Sequence, residues 1–400
     1  MMTGTGTTGT PAPGTTAPAA GWAPPTETER LLHETAAAGD RGALPAALSR
    51  SRLFVRVARL HADTPGFTPP LPTQPDPSAP GRTCVAVLTS GMLPPWHPDW
   101  VFEATALDDL ARRWPNGVRW LVVNPGTPYA VTLEAGPGRR RAWLKAHARS
   151  GGPQAGRLLT HRAGPLHGPV AHGLALGAHL AVHNGLVWND LGAAYEGYGT
   201  DRARLRSPWR VLDRAGYHGT LEALLATQLV GRTYESVLGM RRALAGRLGR
   251  TPTVPEWSAA LTDALARRRS TPSESAEAHE ALRLAVTYED RFRADGALGP
   301  GERVDTLAAF DYGRAVNVVR LALGARLCDP HEAEQAVLRI GALARQAYGS
   351  WAQFSLGYSL TRVMHFDEDD PSGVKYEQSL AQHRVLTQDP DSPYRNIAWS

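Results

Sequence analysis

The sequence is poor in lysine, in cysteine and in unbroken apolar runs, and each shortage removes a class of protein. Of its 43 basic residues only Lys145 and Lys375 are lysine, and the other 41 are arginine. With abundant alanine and glycine, this is the codon signature of a GC-rich, actinobacterium-like genome. An arginine run therefore signals phosphate binding less strongly here than elsewhere, although each guanidinium is still a capable fork for an anion. The two cysteines, Cys84 and Cys328, have no metal or redox spacing and apolar neighbours, which excludes a disulfide scaffold and leaves two buried thiols in a reducing compartment. The longest apolar stretch, Val170 to Trp188, contains three histidines and three glycines and fails as a span of about 20 apolar residues. No charge precedes Glu27, and no apolar core follows the start, so no secretory signal is read and a cytoplasmic protein is expected. Nucleophile elbow, phosphate loop and dinucleotide fingerprint are all missing.

The chain that remains has 400 residues, 42% of them hydrophobic and 20% charged, with a net charge of +5. That length suggests two domains. Residues 1–26 are almost all Thr, Gly, Pro and Ala and cannot bury enough apolar surface to offset their ordering entropy, so they read as a disordered tail. Residues 27–150 mix short helices and strands. A helical pattern runs from Glu27 to Leu48 with a break at 39–42, and strands are expected at 53–57, 82–90, 118–123 and 129–133. A helix is expected at 106–114, and a basic helix at 139–148. Seven prolines make 64–81 a loop. A linker is read over 151–169. From 170 to 400 no convincing strand is found. Helices are marked by their ends, most clearly at Asp329-Pro330-His331-Glu332 and Ser350-Trp351-Ala352-Gln353, both spaced as capping boxes. The fold class read from this is α+β, with a small α+β domain followed by a larger all-α domain.

Two family resemblances rest on particular motifs. A strand ending in Thr89-Ser90, the helix near Leu107 to Trp114, and a strand running from Trp120 into Asn124-Pro125-Gly126 resemble the N-terminal domain of the SseB (enhanced serine sensitivity) family. The C-terminal part resembles the bacterial family called domain of unknown function 1266. That likeness rests on Ala309-Phe310-Asp311-Tyr312-Gly313-Arg314, on Tyr348-Gly349-Ser350-Trp351 with Phe354 and Tyr358, and on Ser392-Pro393-Tyr394 with Trp399. Phe310 and Tyr394 stand where that family commonly has tryptophan, which implies packing roles. Neither resemblance implies a catalytic mechanism.

Four groups of residues could carry chemistry. Asp311 and Arg314, three apart on an apolar helix, can form a structural ion pair or, with Arg362, anchor a carboxylate or phosphate ligand. His179 and His183 have the i, i+4 spacing of a helical metal pair. Together with His172 they would share one helical face, which Asp190 would join if the helix continued; packing is the competing reading. Arg139, Arg140, Arg141, Lys145 and Arg149 form a basic stretch that could meet an acidic partner or lie solvated. The acidic run 367–370 lacks the ligand spacing of a calcium loop and reads as solvated. No cofactor is expected, nor a membrane span, and without a recognition motif nucleic acid is not the expected partner. The function expected is a non-enzymatic, regulatory or protein-interaction role, in a secretion- or toxin-linked context. The alternative is an enzyme or ligand-binding domain, small-molecule or metal-dependent, that uses Asp311 and Arg314.

Overall fold

The computed structural model describes residues 23–66, 70–150, 152, 155–367 and 373–399. Most of the tail read at the N-terminus lies outside these residues. Its end does not: Pro25 accepts a backbone bond from Arg162 at 2.7 Å, and Thr26 caps the helix Glu27–Ala37. A second short helix, Leu44–Ser49, follows the expected break.

The first part of the chain is built on six strands: β1 (Leu53–Ala58), β2 (Thr73–Pro75), β3 (Thr83–Thr89), β4 (Trp100–Thr105), β5 (Trp120–Val123) and β6 (Val131–Glu134). Their order is β4-β1-β3-β5-β6, with β2 pairing on the first half of β3. Only β3 and β5 run parallel; the other pairs are antiparallel. The period of two along each strand decides which side chain faces where. Leu53, Val55 and Val57 of β1 join Val85, Val87, Leu121 and Val123 beneath the helices, against Leu32, Leu48, Leu110 and Trp143. Phe54 and Phe102 point to the opposite face, where Ala193 and Ala194 of the helical part cover them. Strand β4 carries no Gly or Pro and pairs with β1 over six residues, yet the sequence did not announce it.

The larger part is helical from Gly168 to the C-terminal end of the described residues, and its one β-type contact is a parallel bridge between Leu159 and Val187. The helices lie where their caps predict. Asp329 and Glu332 form a full capping box opening Pro330–Ala347. Ser350 caps Trp351–Phe366, but Gln353 reaches back to the Gly349 N–H, one residue short of a closed box. Thr253 with Glu256 and Thr271 with Glu274 form two further boxes, opening Val254–Arg268 and Pro272–Ala294. At the centre lies the helix Ala308–Gly324, in which every side chain except Arg314 and Asn317 is buried. The segment read as a linker is anchored on this part: Trp188 Nε1 donates to Thr160 at 3.0 Å, and Asn189 Nδ2 donates to the His161 carbonyl at 2.7 Å.

One expectation fails on local geometry. Residues 172–183 are not one helix but two, Gly168–Ala175 and Ala178–Asn184, separated at Leu176-Gly177. His172 therefore leaves the face shared by His179 and His183, and Asp190 lies in a loop. The glycine at the break is a packing position: a Cβ on Gly177 would sit 2.7 Å from Val316 Cγ1. Gly173, inside the first of the two helices, is another. A Cβ on Gly173 would sit 2.4 Å from the Val337 carbonyl, so the Gly168–Ala175 and Pro330–Ala347 helices cross almost in backbone contact.

The two parts meet over the second face of the sheet. Helix Tyr198–Arg206 lies against β4. Gly197, at φ +120°, approaches Ala104 so closely that any Cβ would collide with it. Tyr198 Oη donates to Asp63 at 2.5 Å, and the Gly199 N–H donates to Glu103 at 3.0 Å. Trp96 Nε1 donates to the Leu323 carbonyl at 3.1 Å. Among the described residues no helix is long and apolar enough to cross a membrane.

Candidate functional site

The Asp311 carboxylate is wholly buried in the first turn of the central helix. One oxygen accepts from Arg314 Nη2 and the other from the Leu229 N–H at 2.9 Å. Burial alone would push this acid above the ordinary carboxylate range; the guanidinium and the Leu229 and Val230 amides pull it back in part. The pair thus ties the 229–230 segment to the central helix. His365 Nε2 bonds the Val230 carbonyl at 2.7 Å from the other side. Arg314 also lies 4.3 Å above the Phe310 ring and 5.5 Å from that of Trp209. Phe310 reaches Phe366 at 6.2 Å. Next to these groups, Leu229 is 43% exposed and Phe366 52% exposed. The Phe-Asp-x-x-Arg motif therefore supports a partly apolar rim made by Trp209, Leu229 and Phe366.

Tyr358 stands between this motif and the remaining helical candidates. Its ring packs on Phe310 at 5.0 Å and stacks on His179 at 4.3 Å. Arg362, one turn on, is half-buried, and its Nε finds no hydrogen-bond partner. Its charge helps hold His179 and His183 below the ordinary histidine range, after burial itself. Asp311, Arg314, Arg362 and His179 thus approach one another around a buried tyrosine.

The two histidines sit on one helix, as their spacing predicts, but each is engaged. His179 Nε2 bonds Ser355 Oγ at 2.9 Å, and the same hydroxyl bonds His383 Nδ1 at 2.8 Å. His183 Nδ1 meets Gln382 at 3.2 Å. Burial lowers His383 to about 4 and holds His179 well below its ordinary value, so both imidazoles are neutral. Among the described residues no group of three or more His, Cys, Asp or Glu is arranged to hold a metal ion. His172 instead packs between Trp351 and Trp399, at 4.8 and 5.2 Å.

The basic stretch lies on helix Pro137–Ser150, which packs on Leu44–Ser49 and Leu107–Arg112 through Trp143 and Ala146. Arg139, Arg141, Lys145 and Arg149 are exposed, while Arg140 reaches the Ala111 carbonyl at 3.4 Å. The stretch is one solvated face of the sheet-containing part, remote in the chain from the Asp311 motif. Of the acidic run, only Asp367 is described; it is buried and accepts from Tyr288 Oη at 2.5 Å, while 368–370 lie outside the described residues. Both cysteines are free and buried, and burial raises the Cys328 thiol to about 12.

The motifs that carry the C-terminal resemblance assemble into one aromatic cluster. Tyr348 Oη accepts from the Ala309 N–H at 2.8 Å and donates to the Thr306 carbonyl at 2.9 Å, fixing the start of the central helix. Trp351 stacks on Tyr394 at 4.4 Å, and Trp399 Nε1 donates to the Tyr348 carbonyl at 2.7 Å. Residues 204–399 match the family model described as Protein of unknown function (DUF1266). The matched segment holds both the ion pair and the aromatic cluster, and Phe310 and Tyr394 are packed in it as large aromatics. His179 and His183 precede it in the chain but pack into the same core. No curated protein and no solved structure matches the chain.

Sequence reading missed three buried arginines, Arg241, Arg320 and Arg326. Arg241 forms a two-pronged pair with Glu289 at 2.7 and 2.8 Å, closed by the Val304 backbone. Its partner is too distant in sequence for a spacing rule, and no local signal marks any of the three.

Proposed function

We propose that this protein works by binding another protein, and that the rim over the Asp311–Arg314 pair is where it does so. The observation that carries this reading is the exposure of Phe366, which packs on Phe310, and of Leu229, whose N–H bonds Asp311, beside an ion pair that is itself occupied structurally. Exposed aromatic side chains and arginine are enriched at protein interfaces, and Phe366 and Arg314 supply both here. We take the chain to be a cytoplasmic, actinobacterial regulator in a secretion- or toxin-linked context, with an SseB-like domain over 27–150 joined through 151–169 to the helical domain 170–400.

The test is affinity capture from the native host with the full chain and with Phe366→Glu and Leu229→Glu. A partner held by the wild type and lost from both variants supports the proposal; a partner retained equally by all three overturns it. A second reading, a ligand-binding or catalytic role for Asp311 and Arg314, draws support from the Arg314 Nε, which has no partner. It requires the ion pair to open and predicts turnover or ligand uptake lost on Asp311→Asn in a folded protein.

A further inference from the structure

The cleft between the sheet-containing part and the helical part is over-supplied with positive charge. Two adjoining cavities, about 220 and 300 Å³, share Glu27, Thr28, Ser90, Arg157, Leu159 and Val187 along their common wall. The first lies between the parts. Arg50, Arg52 and Phe54 come from the sheet side, and Arg320, Tyr195 and His161 from the helical side. Its charged lining is Arg50, Arg52, Arg157 and Arg320 against Glu27 and Asp190. Glu27 is already bonded to Arg30 at 2.7 Å.

Arg320 is the unusual member. It is 5% exposed, yet among the described residues no carboxylate lies within ion-pair distance of it. Its guanidinium donates to the Val187 carbonyl at 2.6 Å and the Trp188 carbonyl at 3.4 Å, and lies 4.0 Å over the Tyr195 ring. Among the described residues its Nε has no hydrogen-bond partner. A buried cation compensated only by neutral groups is costly, and an anion beside it removes much of that cost. Arg52 repeats the pattern more weakly. Its nearest carboxylate is Glu196 at 3.9 Å, which Arg204 approaches more closely, at 3.4 Å. Two guanidiniums from opposite walls thus line one small cavity, Arg320 with no ion-pair partner among the described residues and Arg52 with only a distant, shared one.

We propose that this cleft binds a small organic anion, its charge held between Arg52 and Arg320 and its compact apolar body set against Phe54, Leu186 and Tyr195. The volume is below the roughly 300–1,000 Å³ of sites for drug-sized ligands, which limits the occupant to a small molecule. Because one guanidinium belongs to each part, the anion also bridges them. The site is separate from the rim at Phe366 and does not depend on it.

The experiment is calorimetric titration of the full chain with benzoate, phenyl phosphate and, as the neutral control, benzyl alcohol. At least one of the two anions is expected to bind at one site per chain, with benzyl alcohol weaker by about tenfold or more, the factor that one charge-assisted hydrogen bond supplies. Arg52→Gln is expected to weaken the anion by a similar factor. Arg320→Gln should do the same but also loosens Val187, so the partly exposed Arg52 decides the case if that variant does not fold. Arg141→Gln on the basic helix should leave binding unchanged. The proposal is overturned if neither anion binds, if benzyl alcohol binds as well as the anions, or if Arg52→Gln binds like the wild type.

Discussion

The guanidinium of Arg326, in the helical part, donates to the carbonyl oxygen of Trp100 on strand β4 at 2.6 Å. The same group reaches the His97 carbonyl at 3.1 Å and the Ala193 carbonyl at 2.8 Å, and lies 5.1 Å from the Trp96 ring. Burial lowers Arg326 to about 10, still far above neutrality, so it remains charged. One side chain thus satisfies carbonyls from both parts and bolts them into one body.

Arg326→Met should therefore strand several buried carbonyls at the joint. A loss of about 3 kcal/mol is expected in denaturant unfolding, since each unsatisfied buried acceptor costs about 1–3 kcal/mol. The loss should come with faster proteolysis between the parts. Unchanged stability and unchanged cleavage would show that the joint does not depend on this residue.

The buried Arg241–Glu289 pair should behave as a single unit. Glu289→Ala leaves a buried guanidinium without its acid, and about 3–5 kcal/mol of destabilisation is expected. The double change Arg241→Met with Glu289→Leu should recover much of that loss, because no unpaired charge is left behind. Chemical denaturation of the three variants decides it; a double variant as unstable as the single one would refute the account.

Gly173→Ala tests the helix crossing. Its Cβ would lie 2.5 Å from Val337 Cγ1 as well as against the Val337 carbonyl, and backbone cannot swing aside as a side chain can. A cost of about 1–3 kcal/mol, typical of overpacking, is expected in thermal melts. Gly246→Ala, with open space around its Cβ position and a helical backbone, should be neutral or stabilising.

Two buried groups shape the pH dependence in opposite directions. Burial raises Asp201 to about 8, against 3.8 for an ordinary aspartate, although the Tyr195 and Glu196 amides bond it. The folded state holds that proton more tightly than the unfolded one. Its contribution to stability is therefore full below pH 3.8 and is lost as pH rises through about 8. Relative to Asp201→Asn, the wild type should lose melting temperature between pH 5 and pH 8.5. His383 is lowered from 6.5 to about 4 by burial, so its contribution is full above pH 6.5 and is lost as pH falls through about 4. Relative to His383→Gln, the wild type should lose ground between pH 6.5 and pH 4.5. Parallel melting curves within either pair would rule out the corresponding assignment.

Local signals read well in this chain. Asp329 and Glu332 marked a helix start that depends only on residues three apart, and the Val- and Leu-rich runs at 83–89 and 120–123 marked strands. Strand β4 was hidden because its pairing with β1 bridges more than forty residues, and only that pairing makes it a strand. The Thr-Ser and Asn-Pro-Gly motifs were legible as strand ends, but not their purpose. Thr89 N–H and Oγ1 meet the Asn124 side chain at 2.9 Å, and the buried Glu29 accepts from Thr89, closing a polar knot drawn from three distant segments. The histidine face failed at Gly177 because helical periodicity says nothing about where a neighbouring helix needs room.

What the sequence determined alone is the α+β class, the capped helices and the aromatic motifs of the C-terminal part, because these follow from spacing and side-chain type. What the tertiary structure decided is where charge goes. Arg326 became the bolt between the parts, Asp311 with Arg314 the base of an apolar rim, and Arg320 a buried cation with no acid at ion-pair distance among the described residues. Forty-one arginines look alike in a sequence; only burial and the groups around each guanidinium separate a solvated charge from one that must find a partner.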